Sequence, residues 1–245
     1  MKSFLLVLCF FLTNFELYSQ EKPTEVLVLS TLHKGHLSNP NYPYETISQI
    51  IQNFDPDVLG VEIRAEDLKL DKDYLSKFYP LEMYQYLFQT DSISYYGFDW
   101  LGEEIEGIPM PENFFPEISS IIKLRKQLAE NQEVQAKLSI LSHVSNEKNN
   151  LAKISSPQEM IDGRYDVLNR VYYKQMMDLM ADTELKGIPE FYLKRDQKIA
   201  ENILRIIQAN SGKKFLFLMG ADHRSFTVDY LEEQLGDQIE LVQEF

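Results

Sequence analysis

The feature that most constrains this chain is a set of short apolar runs without polar alternation. They are VLVL at Val26–Leu29, VLGVEI at Val58–Ile63, ISYYGF at Ile93–Phe98 as a third candidate, and KFLFLM at Lys214–Met219 as the fourth. A strand with one wet face alternates apolar and polar residues, whereas an unbroken apolar run suits a strand covered on both faces, as in a parallel sheet. Between the first two runs, Glu45 to Phe54 places Ile47, Ile50, Ile51 and Phe54 at helical spacing. Strand, helix, strand predicts a βαβ unit whose two strands are parallel neighbours. The expected fold is therefore α/β: a mixed, mainly parallel central sheet flanked by helices.

The middle of the chain reads differently. From about residue 110 to 180 the pattern is helical and polar, an insertion in which Ile118, Ile121, Ile122, Leu124 and Leu128 form one stripe and Val167, Leu168, Val171, Met176, Leu179 and Met180 another. His143 lies in this part, away from carboxylates, and reads as solvated or structural. A long helix from about Glu190 to Ala209 buries Ile199, Ile203, Ile206 and Ile207 and stops at Asn210-Ser211-Gly212. Phe226 to Leu235 predicts a further helix, and Ile239 to Val242 an edge strand. No Pro/Gly/Ser linker divides residues 21–245, which are expected to form one domain.

The first twenty residues read as a secretory signal: Lys2 gives a basic start, Phe4–Phe15 an apolar stretch too short to span a bilayer, and Tyr18-Ser19-Gln20 a cleavage region of the kind used by Bacteroidetes. The expected location is periplasmic or secreted. Cys9, the one cysteine, lies inside that stretch, so the exported part has neither a disulfide framework nor thiol chemistry. The formal net charge of -14 opposes phosphate backbones and argues against a nucleic-acid partner. No later run suits stable membrane insertion, and the expected partner is a small-molecule or peptide substrate.

Polar residues gather where the apolar runs end. His33 and His36 follow the first, Glu62 and Arg64 the second, Asp99 and Trp100 the third, Asp222 and His223 the last. In open α/β sheets ligands bind outside the carboxyl ends of the strands. If the first, second and fourth strands are adjacent, His33, Glu62 and His223 meet on one rim. Two imidazoles and a carboxylate suffice to hold zinc, manganese or cobalt with positions left open for water. Asp99 and Asp222 are placed to orient such histidines, and His36 and Arg64 to support them from behind. Trp100 reads as a core-capping indole.

Several of these segments resemble the TraB/Tiki superfamily, with its erythromycin-esterase-like and ChaN-like members. The likeness rests on Ser30-Thr31-Leu32-His33, Pro56-Asp57-Val58-Leu59-Gly60-Val61-Glu62, Lys194-Arg195-Asp196-Gln197-Lys198-Ile199-Ala200 and Gly220-Ala221-Asp222-His223, in that order along most of the chain. It is nearest a bacterial branch of short exported proteins without an assigned function. Tiki-type relatives are metal-dependent proteases with two Gly-x-x-His motifs and a glutamate, which implies His33, Glu62 and His223 here. Ser30 stands where the first motif has glycine. The resemblance implies a divalent-metal-dependent hydrolase of amide or ester bonds, with Glu62 and Arg195 as catalytic groups. The ChaN-like members imply the alternative, a non-catalytic protein that binds haem or another small ligand.

Overall fold

The structure is a computed structural model that describes residues 23–87, 89 and 91–245; the expected signal segment lies outside the described residues. Strand β1 (Thr24–Thr31) leads through helix α1 (Tyr44–Phe54) to β2 (Val58–Val61). Helices α2 (Lys72–Phe78) and α3 (Leu81–Tyr84) precede β3 (Ser94–Gly97). Then come α4 (Ser120–Glu130), α5 (Gln132–Leu138), α6 (Ser142–Ile154), α7 (Pro157–Met160) and α8 (Arg164–Met180). The long α9 (Gly187–Ala209) feeds β4 (Phe215–Gly220), and α10 (Ala221–Leu235) leads to β5 (Ile239–Leu241).

The five strands form one all-parallel sheet in the order β3-β2-β4-β1-β5. β1 and β2 are parallel, as the βαβ pattern requires, but they are not neighbours. β4, the most apolar run, takes the centre and pairs with both: Phe217 stands opposite Val28 on one side and Gly60 on the other. Every residue of β4 is buried, which is why a run with no polar position belongs there.

Alternate residues of β1 serve two cores. Leu27 and Leu29 pack with Ile47, Ile50, Ile51 and Phe54 of α1, whereas Val26 and Val28 pack with Ile199, Ile203 and Ile207 of α9 and with Val228 and Leu231 of α10. The connection leaving β1 thus crosses one face of the sheet and the connection leaving β4 crosses the other. The carboxyl ends of β1 and β4 are therefore a topological switch point, the position at which open α/β sheets bind ligands.

The middle helices bring a third cluster, in which Ile121, Val134, Leu141, Met176, Met180 and Leu185 are buried. Val167 and Val171 are exposed, contrary to the helical stripe expected for them, and the neighbouring Asp166 and Asn169 are buried instead. The reason is polar: Asp166 is paired with the buried Arg224, and Asn169 receives Lys148 at 2.5 Å. His143 is exposed on α6. Trp100 is buried and stacks near Phe191, centroids 5.7 Å apart, as expected of a capping indole.

Gly60 is the tightest point of the sheet. A Cβ there would lie 2.3 Å from Phe217 Cδ1 and 3.3 Å from Phe98 Cδ1. Gly60→Ala is expected to cost about 1–3 kcal/mol through overpacking, measured as a lower urea midpoint with an unchanged m-value.

Candidate functional site

After β1 the chain turns at Leu32 into a 3-10 turn, His33–Leu37. His33 itself adopts φ 51°, a left-handed backbone that a non-glycine residue enters at a cost. The turn is pinned from both sides. Leu32 N–H donates to His36 Nε2 at 2.9 Å, His36 Nδ1–H donates to the Tyr42 carbonyl at 2.7 Å, and Tyr44 Oη donates to the His33 carbonyl at 2.9 Å. Buried His36 is therefore the internal brace of the turn, with both ring nitrogens occupied. Burial is the main influence on it and holds its pKa below the ordinary histidine value despite the Tyr42 hydrogen bond. Ser30 lies within β1, and the positive φ falls at His33, so the strand needs no glycine at position 30.

Glu62 follows β2 directly and is buried at the end of the central strands. Its Oε2 accepts the Gly220 N–H at 2.6 Å, and its Oε1 accepts Arg195 Nη2 at 2.7 Å and lies 3.5 Å from His223 Nε2. Arg195 Nε also donates to Asp99 Oδ1 at 2.9 Å. One guanidinium from α9 thereby clamps two carboxylates from neighbouring strand ends. Arg64 turns away: its guanidinium donates to the carbonyls of Ile105 and Ile108 at 2.5 and 2.7 Å and pairs with Asp67, so it holds a loop and touches none of the rim groups.

α10 begins at Ala221, straight off β4 and five residues earlier than the apolar pattern predicts. His223 thus sits in a first helical turn and is buried. Its Nδ1 faces Asp196 Oδ1 at 2.5 Å. Asp222, expected to orient a histidine, instead meets Lys148 Nζ at 2.8 Å and Tyr165 Oη at 2.7 Å, and so ties α10 to α6 and α8. The carboxylate that does orient His223 is Asp196, the neighbour of Arg195 on α9. On the other side His33 Nδ1 meets Glu82 Oε1 at 2.7 Å, a partner from α3 that no sequence signal marks.

The rim is closest at Gly220. A Cβ there would lie 2.7 Å from His33 Nε2 and 3.3 Å from Glu62 Oε2, so only glycine lets both side chains converge on this spot. His33, Glu62 and His223 are therefore together, joined by Asp99, Arg195 and Asp196; His36, Arg64 and Asp222 are elsewhere.

The charges set one another. Burial alone would raise Glu62, but His223, Arg195 and His33, with the Gly220 N–H, pull its pKa down to about 2. Asp99 goes the opposite way: burial, reinforced by the Glu62 charge, outweighs Arg195 and lifts it to about 6. Burial opposes the charged form of His33, yet the Glu82 hydrogen bond and the Glu62 and Glu82 charges raise it overall. For His223 burial and Arg195 are likewise outweighed by Glu62 and Asp196.

The metal reading has one feature in its favour, since each imidazole has a carboxylate on Nδ1 and its Nε2 turned to the rim, as metal-binding histidines do. The placed side chains do not complete it. Both Glu62 oxygens are already engaged, with the Arg195 cation on one of them. Among the described residues, no group of three or more His, Cys, Asp or Glu has the geometry to hold a metal ion. No helix among them is long and apolar enough to cross a membrane.

No family model, curated protein or solved structure matches the chain.

Two outcomes test the site. Gly220→Ala should leave the fold intact and displace His33, seen as a shift of its ring signals by NMR. Glu62 has a depressed pKa, so its stabilising charge is present above about pH 4.5 and lost as pH falls toward about 2. Glu62→Gln should cost about 3 kcal/mol near neutrality, since it strips the buried Arg195 of one of its two carboxylates and His223 of a facing charge. The difference from wild type should fade over that acid window in denaturant titrations.

Proposed function

We propose that this rim hydrolyses an ester or amide bond. The observation that carries the reading is the convergence of His33 Nε2 and Glu62 over Gly220, with His223 Nε2 3.5 Å from Glu62 Oε1 and Arg195 held against Glu62. Half-exposed His33 is the group placed to take a proton from water, through Nε2, as that water attacks a carbonyl carbon. His223, buried and held by Asp196, is placed to return a proton to the leaving oxygen or nitrogen. Arg195 supplies fixed positive charge beside the oxyanion that forms when the carbonyl π bond opens. Glu62 stays ionised and sets the positions of Arg195 and His223. A carboxylate between cations is costly to bury without such work, which supports a chemical role over a purely structural one.

The test uses the chain from residue 21 onward with p-nitrophenyl acetate and a peptide p-nitroanilide. Hydrolysis above the buffer rate is expected, with His33→Ala, Glu62→Gln and Arg195→Lys each lowering kcat/KM by about 10²-fold or more. Activity abolished by a chelator and restored by zinc, manganese or cobalt would instead make His33, Glu62 and His223 metal ligands. No hydrolysis, together with a haem absorbance that disappears in His33→Ala, would replace the hydrolase reading with ligand binding. An exported chain would act outside the cytoplasm, and N-terminal sequencing of protein recovered from an exporting host should find cleavage after Gln20.

A further inference from the structure

Glu82 is completely buried, yet it is poorly provided for. Oε1 has one partner, His33 Nδ1 at 2.7 Å, and Oε2 has no hydrogen-bond partner among the described residues. It is carried on α3, a helix of four residues, close enough to Tyr42, Tyr44 and Tyr86 that its charge adds to the burial that pushes their phenols to higher pKa. An isolated carboxylate oxygen in such surroundings is a standing cost to the fold, and an apolar residue of similar size would fill the position without it. The partner is equally strained, because His33 sits at φ 51°. Two unfavourable features meet in one 2.7 Å hydrogen bond, and the imidazole they hold presents Nε2 to Glu62 and Gly220.

We infer that Glu82 is a positioning residue for His33. By accepting the Nδ1–H it selects the tautomer whose Nε2 lone pair faces the rim, and it fixes the ring plane against the backbone strain of the turn. The reaction arm of this inference rests on the hydrolase reading. The spectroscopic arm does not.

A structural role and a positioning role predict opposite signs in Glu82→Met, which keeps the bulk and removes the carboxylate. A positioning role predicts an unchanged or raised Tm, a fall of about 10²-fold in kcat on p-nitrophenyl acetate with little change in KM, and a His33 ring whose 15N shifts move from the single Nδ1–H form to a mixture. Glu82→Gln, whose amide oxygen still accepts from Nδ1–H, should restore the single tautomer and most of kcat. A Tm that falls in Glu82→Met while the His33 15N shifts stay as in the wild type overturns the inference. So does Glu82→Gln behaving like Glu82→Met in those shifts. If the wild type hydrolyses nothing, the hydrolase reading fails, and the tautomer comparison between wild type, Met and Gln variants still decides the role of Glu82.

Discussion

The site depends on one arrangement of charge: the Glu62 carboxylate, buried at the end of β2 and faced by Arg195, His223 and the Gly220 N–H. These partners come from two distant parts of the chain, α9 and the β4–α10 junction, and none can move without leaving a buried carboxylate undersolvated. A charge taken from water has to be met by others at short range, so Glu62 fixes the register of α9 against the sheet and the exit of β4 into α10. Asp99 extends the same logic by one group. It shares Arg195 with Glu62, and burial, reinforced by the Glu62 charge, lifts it to about 6 even though Arg195 pulls the other way.

The sheet makes this meeting possible. β4 lies between β1 and β2, so the ends that carry His33, Glu62 and His223 are adjacent on one rim. The side chains behind them come from helices on different layers. Asp196 belongs to α9, and Glu82 to the segment between β2 and β3. Two carboxylate–imidazole pairs thus approach Glu62 from different elements, one fully buried and one half open to solvent.

Much of this was legible in the residues. Unbroken apolar runs identified the buried strands, and the polar ends of the first, second and last of them named His33, Glu62 and His223. The central position of β4 was not legible, because neighbourhood in sequence favours pairing β1 with β2, and only the complete lack of polar positions in FLFLM hints at the middle of a sheet. The early start of α10 was hidden by its polar first turn, Asp222-His223-Arg224-Ser225, whose side chains are matched by partners from α6, α8 and α9 that periodicity does not reveal. Asp196 was visible as part of a motif but without its partner, since a hydrogen bond to a residue 27 positions away leaves no local pattern. Glu82 had no signal at all. A glutamate in the first turn of a short helix looks like a solvated helix-starting residue, and only the folded chain shows it enclosed.

The place of β4 also governs when the protein becomes itself. The sheet's middle strand is made after the strands on either side of it, so β1, α1, β2 and β3 have no hydrogen-bonded path joining β1 to β2 until Phe215 to Gly220 arrives. Contacts of such long sequence separation form late and slowly. The same insertion that closes the sheet delivers Gly220 and His223 to Glu62. A chain that stops short of this strand lacks the centre of its scaffold as well as two of the groups that face Glu62, the Gly220 N–H and His223. Assembly of the rim is in this way inseparable from completion of the fold.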